Sequence, residues 1–356
     1  MRLALQPNWS VLKSSGETYS LARLFSLLVC LDKHGNLKSA SESCNISYRC
    51  AWDVVRDAET IFGTPIVEMK RGKGTVLTPF GKKLLWGEKK VIARLGPLLE
   101  SMASELEAEL ESVRSLSDPV LHMHASHGFA VATLYNHLKA IDFPIELDYR
   151  GSVESVRALK MGDCDIAGFH VPMGILEKRV FRQFSGLLDS NTHCLINLAR
   201  RRLGLIVPKG NPLGFWSIRD IGREGIQFVN RQAGSGTRVI IELMLDAEGI
   251  DTSVIRGYDR LEFTHAAIAA YVASGKADVG VGVEPAARQF GLDFIPLLTE
   301  RYFMACSRES LGAPKVEKIL ALLRDSKFKS EVNQLPGYEA LDSGEVLSIE
   351  EAFPAS

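Results

Sequence analysis

Apolar positions in the first third of the chain recur at helical spacing. Leu21, Leu24, Phe25, Leu27, Leu28 and Leu31 follow three- and four-residue steps and stop at His34-Gly35, where glycine can cap a C-terminus. A short segment from Leu37 to Ser43 follows, with the small Ala40 where two closely crossing helices must touch. Ser47 is placed to cap a third helix reaching about Phe62. One of its faces carries Ala51, Val54, Val55, Ala58 and Ile61, and the other Tyr48, Arg49, Asp53 and Arg56. Gly63-Thr64-Pro65 breaks this helix, Ile66 to Met69 alternates like a strand, Lys70-Arg71-Gly72-Lys73-Gly74 is a basic glycine turn, and Thr75-Val76-Leu77 returns. This pattern predicts a hairpin wing with cations at its tip. From Pro79 to about Arg114 runs one long helix, capped by Thr78, with Gly96-Pro97 as the place for a kink. Its stripe (Leu84, Leu85, Val91, Ile92, Leu95, Leu98, Leu99, Met102, Leu106, Leu110) has no partner in so small a domain and reads as a dimer seam. Leu116-Ser117-Asp118-Pro119 ends it and marks a domain boundary.

Beyond Pro119 short apolar runs alternate with helical segments, which predicts an α/β domain with largely parallel sheet. Strands are expected at Val120 to Ala125, Ile145 to Tyr149, Asp165 to His170, Leu203 to Pro208, Gln227 to Asn230 and Ala277 to Glu284. Helices are expected to open at Ser126-His127-Gly128, Gly151-Ser152, Gly234-Ser235-Gly236-Thr237-Arg238 and Thr264-His265. Strand ends that run into helix starts are where α/β folds hold ligands.

Charge separates the two parts. Residues 1–94 hold 15 Lys+Arg against 8 Asp+Glu, and the remainder 27 against 35. A basic module ahead of an acidic one suggests a polyanion partner for the first. With 46% hydrophobic residues and 24% charged, neither disorder nor membrane spanning is favoured, and the residues after Met1 lack a signal-peptide pattern. A cytoplasmic protein without membrane association is expected. The six cysteines include no CxxC pair, so neither a disulfide framework nor a zinc ribbon is signalled.

An aromatic and a guanidinium on the first turn of the third helix suit a DNA major groove, and the wing cations suit phosphates. Candidate DNA contacts are Ser47, Tyr48, Arg49, Arg56, Lys70, Arg71 and Lys73. In the second part, helix N-termini with their free N–H groups bind anions, and hydroxyls add donors. Ser126, Ser152, Ser235, Thr237 and Thr264 each make a plain N-cap in isolation, but five at the mouths of one domain are better explained by a shared small anion. Asn230, Arg231, Gly236 and Arg238 share these loops, and His127, His170 and His265 sit beside them, where an imidazole can gain charge when an anion arrives. His122-x-His124-x-x-His127 lacks a thiolate or acidic neighbour, so no metal is expected. The segment QAGSGTR lacks the lysine of a P-loop, the third glycine of a dinucleotide fingerprint and the elbow of a serine hydrolase. No nucleotide or other cofactor follows from it.

The segment GNLKSASESCNISYRCAWDVVRDAETIFGTPIVEMKRGKGTVLTPFGKKLL resembles the winged helix-turn-helix of LysR- and ModE-type transcription regulators, with ISYRCAWD nearer the ModE variant. Its wing departs from that pattern, the usual longer glycine run being shortened to Gly72-Lys73-Gly74. FVNRQAGSGTR, with RGSVESVRALKMGDCDIAGFH before it and THAAIAAYVASGKADVGVGVE after it, resembles type II periplasmic-binding-protein-like domains related to molybdate-binding proteins. That likeness covers about Val120 to Leu335 and implies crossing strands near Asn197 to Leu203 and Phe294 to Tyr302, with ligand between two lobes. The expected fold is therefore α/β, an N-terminal winged helix-turn-helix with a long linker helix, plus a two-lobed periplasmic-binding-protein-like domain. Its expected divisions are 1–78 for DNA binding, 79–117 for the linker and dimerisation helix, and 118–356 for the effector domain. Lobe I takes about 118–199 and 300–356, lobe II about 203–296.

The resemblance implies a regulator rather than an enzyme: a homodimer or tetramer that binds double-stranded operator DNA and senses a small anion. Molybdate or tungstate comes first, then a small carboxylate or an oxyanion such as formate, nitrate or sulfate. Two rival readings are a cytoplasmic anion-binding protein and a cleft enzyme, the latter with His127 or His265 as base and Glu262 or Glu284 as partner. Against the enzyme stands the lack of a recognised nucleophile, metal set or cofactor loop, so no catalytic residue is assigned.

Overall fold

A computed structural model describes residues 2–12, 16–70, 74–114 and 120–354. Arg71, Lys73 and the boundary signal at 116–119 lie outside the described residues. Residues 6–96 form one compact unit and residues 97–356, with the first five, another. The division falls inside the long helix, at Gly96-Pro97.

The smaller unit opens with a hairpin that periodicity did not show, β1 (Ser10–Leu12) paired antiparallel with β2 (Thr18–Ser20). Three helices follow: α1 (Ala22–His34), α2 (Leu37–Ser43) and α3 (Tyr48–Phe62). Gly35 closes α1 at φ 69°, a left-handed position that glycine adopts without strain. The Asn36 side chain accepts from Ser39 N–H to start α2, and Ser47 Oγ accepts from Cys50 N–H to start α3. Leu24, Leu27, Leu28, Ala40, Ala51, Val55 and Ala58 are buried together as the core. The wing is β3 (Val67–Lys70) against β4 (Gly74–Leu77), held to α3 by Glu59 Oε1, which accepts from the Ile66 and Val67 N–H groups at 2.7 and 3.2 Å. Then α4 (Pro79–Arg114) begins, its Thr78 cap accepting from Gly81 N–H at 3.1 Å. Gly81 has to be glycine, because a Cβ there would lie 2.2 Å from Ile66 O.

In the larger unit the chain runs β5 (Leu121–Ala125), α5 (Phe129–Ala140), β6 (Ile145–Tyr149), α6 (Ser152–Met161), β7 (Ile166–Pro172), α7 (Glu177–Phe181) and β8 (His193–Val207). It continues through β9 (Phe228–Arg231), α8 (Gly236–Ala247), β10 (Leu261–Glu262), α9 (His265–Ala273), β11 (Val279–Val283), α10 (Glu284–Gln289) and β12 (Asp293–Ser307). It closes with α11 (Pro314–Arg324), α12 (Ser326–Asn333), β13 (Tyr338–Glu339), β14 (Val346–Leu347) and α13 (Ile349–Ala352).

One sheet runs in the order β10-β9-β11-β8-β12-β7-β5-β6, with β13 and β14 added on β8. The strands near its ends are parallel, while β8 and β12 are antiparallel to each other. These two strands, 15 residues each, pass from one lobe to the other. The expected crossing segment at Asn197 to Leu203 and the expected strand at Leu203 to Pro208 are thus one continuous strand. Glu284, expected to end a strand, starts α10. Lobe I is filled on one sheet face by Leu134, Leu138, Ile196 and Phe328 and on the other by Val156, Phe169 and Phe303. Lobe II is filled by Leu205, Phe228, Ile241, Ile268 and Val281. The last part of α4 lies along the outermost strand, β6: Ser101 Oγ accepts from Tyr149 N–H at 2.9 Å and Ser104 Oγ from Leu147 N–H at 2.8 Å. Among the described residues no helix is long and apolar enough to cross a membrane.

Candidate functional site

In the smaller unit, the buried stripe of α3 fixes which side faces outward. Ser47, Tyr48, Arg49 and Arg56 all lie exposed on that side, the Tyr48 ring edge-on to Trp52 at 6.3 Å. Lys70 is exposed at the wing and pairs with Glu68 at 2.8 Å. The Ser47 hydroxyl is already engaged as the helix cap, which leaves it an O–H to donate.

In the larger unit four helices begin at the cleft between the lobes. Gly128 precedes α5, Gly151 precedes α6, Ser235 caps α8 by accepting from Arg238 N–H, and Thr264 caps α9 by accepting from Ala267 N–H. The first turns of α6 and α8, one from each lobe, touch: a Cβ on Gly236 would lie 3.6 Å from Ser152 Oγ, and one on Gly151 3.4 Å from Gly234 O. Two positive helix ends brought together favour an anion between or beside them. Ser152 is buried, and its Oγ has no hydrogen-bond partner among the described residues.

Two guanidiniums reach the same place. Arg201 of β8 stands opposite Glu300 of β12 in the sheet register, and its Nε donates to Glu300 Oε2 at 2.7 Å, both side chains being almost solvent-free. Arg231 closes β9. It is 8% exposed, and its Nε and Nη1 meet no acceptor among the described residues. Burial, and then the charge of Arg201, pull the Arg231 guanidinium down to about 9, so it stays cationic at neutral pH. A buried charged donor without an acceptor is expensive unless an anion is meant to sit there.

Three imidazoles complete the cluster. His170 Nδ1 is 2.9 Å from Ser126 Oγ, its ring packs edge-on to Tyr302, and its Nε2 has no partner among the described residues. His127 packs against the Tyr149 ring at 4.9 Å with Nδ1 unpartnered, and His265, the first residue of α9, likewise leaves Nδ1 unpartnered. Burial, followed by the Arg231 and Arg201 charges, lowers His127 to about 4 and holds His265 well below the ordinary imidazole range. His170 is lowered likewise, by burial and then by Arg201 and Arg231. At neutral pH all three are neutral donor-acceptor rings.

Among the expected ligand residues, Ser126, His127, Ser152, Ser235, Gly236, Thr237, Thr264 and His265 lie in these loops and helix starts, His170 lies within β7 and Arg231 ends β9, and Thr237 is buried in the first turn of α8. Two are corrected. Asn230 is fully buried and engages its amide locally, Nδ2 donating to Tyr258 O and Oδ1 accepting from Arg231 N–H. Arg238 turns along its own helix, donating to Glu242 at 2.6 Å and stacking over the Tyr258 ring at 4.0 Å. The partner role considered for Glu284 is also corrected, since its carboxylate is shared between Arg202 and Arg288. Arg201 and Glu300 were not foreseen. Their signal was present in Arg200-Arg201-Arg202 between apolar neighbours: strand alternation buries the middle arginine and sends the outer two to Asp342 and Glu284.

The two-lobed sheet with crossing strands and helix N-termini at the cleft defines a small-ligand-binding fold of the periplasmic-binding-protein kind. Residues 135–324 match the PBP superfamily domain, and the chain belongs to that superfamily. It is similar to the uncharacterized protein YvgK of Bacillus subtilis, 33% identical over 199 residues, which are 56% of this chain and 64% of that protein. It is also similar to the molybdenum-pterin-binding protein MopB of Rhodobacter capsulatus, 31% identical over 112 residues, 30% of this chain and 41% of that one. The chain thus spans less than two thirds of either relative. Among solved structures, CbnR, a LysR family transcriptional regulator, aligns over 83% of this chain and 97% of its own at 16% identity, with a TM-score of 0.37.

Proposed function

We propose that this protein is a ligand-responsive, DNA-binding transcription regulator that senses a small anion in the cleft of its larger unit, not an enzyme. The observation that carries the anion reading is Arg231, buried and cationic with two donor atoms that have no partner among the described residues, beside two helix N-termini and three neutral histidines. The DNA reading rests on the exposed Tyr48, Arg49 and Arg56 of α3 beside a wing that carries Lys70. Molybdate or tungstate is the leading ligand, an assignment motivated by the sequence likeness to molybdate-binding proteins and to the molybdenum-pterin-binding protein MopB. Formate or another small carboxylate stands second. The chain acts in the cytoplasm as a homodimer or tetramer joined along α4. Ligand shifts the population toward the closed cleft only by its differential affinity for that state, and that shift resets the DNA-binding heads.

The test is thermal unfolding of the whole chain against molybdate, tungstate, sulfate, nitrate and formate, together with titration of operator-containing DNA. A native-state ligand must raise the melting temperature. Arg231→Ala should abolish the rise, and Arg49→Ala should weaken DNA binding about tenfold while leaving the rise intact. A melting temperature unmoved by every anion would sink the sensor reading, and unchanged DNA affinity in Arg49→Ala would sink the role assigned to α3.

A further inference from the structure

Resting on that anion reading, we infer that the cleft is a proton-coupled dianion site: a doubly charged oxyanion enters together with a proton that is taken up by the His127, His170 and His265 cluster. The inference starts from the charge balance of the walls. Arg201 from β8 is matched by direct contact with Glu300 from β12. Arg231 from β9 feels the Glu300 carboxylate and that of Glu262, which ends β10. Two guanidiniums against two carboxylates leave a neutral lining while the rings are neutral. The other titratable groups facing the rings are phenols, Tyr149 of β6 against His127 and Tyr302 of β12 against His170. Tyr302 is pushed up by burial, and Tyr149 also by burial and the nearby Glu100, so neither supplies charge near neutrality.

A monoanion can be met by the free Arg231 donors and the helix ends. A dianion brings a second charge into a space with little water to screen it, and the opposite charge favours protonation of an adjacent base. The three rings offer unpartnered nitrogens at three positions around the same guanidiniums: Nδ1 of His127, Nε2 of His170 and Nδ1 of His265. Protonation turns an acceptor nitrogen into a donor, which is the hydrogen-bonding partner a fully deprotonated oxyanion needs. Rings held neutral by burial and by Arg231 and Arg201 are therefore poised to charge when the dianion arrives.

Binding linked to proton uptake weakens as pH rises between the free and the liganded imidazole values, by on the order of tenfold per pH unit for one proton. Calorimetric titration of the full chain with molybdate and with sulfate, at pH 6 in two buffers of different ionisation enthalpy, reads the proton number directly. Nitrate serves as the monoanion control. The expected result is uptake of about one proton per dianion and none per nitrate. His170→Gln/His265→Gln should weaken dianion binding at pH 6 by about tenfold and remove most of the uptake per dianion bound, with nitrate binding changed less, since glutamine donates but does not titrate. Saturable dianion binding with heats equal in the two buffers overturns the proton coupling and leaves the anion reading standing. Buffer dependence unchanged in the double variant overturns the assignment of the proton to His170 and His265, and unchanged dependence in His127→Gln/His170→Gln/His265→Gln overturns the cluster as its acceptor. No saturable heat with any anion removes the anion reading, and this inference with it. The buffer comparison on the natural chain decides the coupling even if the double variant does not fold.

Discussion

At the scale of one residue, Arg231 is where the proposed anion site sets recognition against stability. Its guanidinium is buried with Nε and Nη1 unpartnered and is further opposed by Arg201. Replacing it with glutamine should stabilise the unliganded protein by about 1–2 kcal/mol, because burial and Arg201 oppose the guanidinium by more than Glu300 and Glu262 restore. The same variant should show no anion-dependent rise in melting temperature, so the two curves with and without molybdate would coincide. The histidines give a second expectation, in pH. His127 is about 4 when folded against an ordinary 6.5, so the unfolded chain binds the extra proton. Stability is then fully present above about pH 6.5 and falls as pH drops toward 4, by up to about 3 kcal/mol from His127. Melting temperatures across that range should decline less steeply in His127→Gln, and a flat profile in the natural protein would contradict the buried, neutral ring.

Among the elements, those with strong local signals were readable in the residues. The periodic stripe of α3, its Ser47 cap and the Gly35 stop of α1 agree with the structure because backbone capping and one buried face decide them locally. The β1-β2 hairpin was not readable, since three-residue strands offer no period to detect. The full length of β8 was hidden by three consecutive arginines and Gly204, and only pairing with β12 explains them. Gly204 is required there because a Cβ would lie 2.2 Å from Ile295 O. Arg201 escaped notice for the same reason, since its burial is a property of the sheet and its partner Glu300 is 99 residues away. At the base of the wing, the close approach of Gly81 to Ile66 O yields an element-scale expectation. Gly81→Ala should destabilise the smaller unit by about 2 kcal/mol or more and separate the α4 start from the wing. Chemical denaturation followed by Trp fluorescence would register this as a lower midpoint, and an unshifted midpoint would show that the contact relaxes freely.

For the whole molecule, composition and charge separated a basic front from an acidic remainder, and the fold follows that division, although the compact units part inside α4. The apolar residues left outward on that helix include Leu95, Leu98, Met102, Leu106 and Leu110, spaced three and four residues apart. A seam of this spacing is the basis of the proposed dimer. Leu98→Glu/Leu106→Glu should therefore give a monomer by light scattering, with DNA affinity lowered at least tenfold through loss of the second half-site. A dimer that survives both charges would place the interface elsewhere.

The contact of Ser101 and Ser104 with β6 has a practical consequence for anyone shortening this chain. Those hydroxyls accept N–H groups that the outermost strand would otherwise show to solvent, so the final turns of α4 act as the selvedge of the sheet. Cutting at residue 118, where the residues suggest a natural join, would strip that border and leave Leu147 and Tyr149 N–H open to pairing with another copy. Starting at residue 97 keeps the border sewn on, so the longer fragment should stay dispersed where the shorter one self-associates.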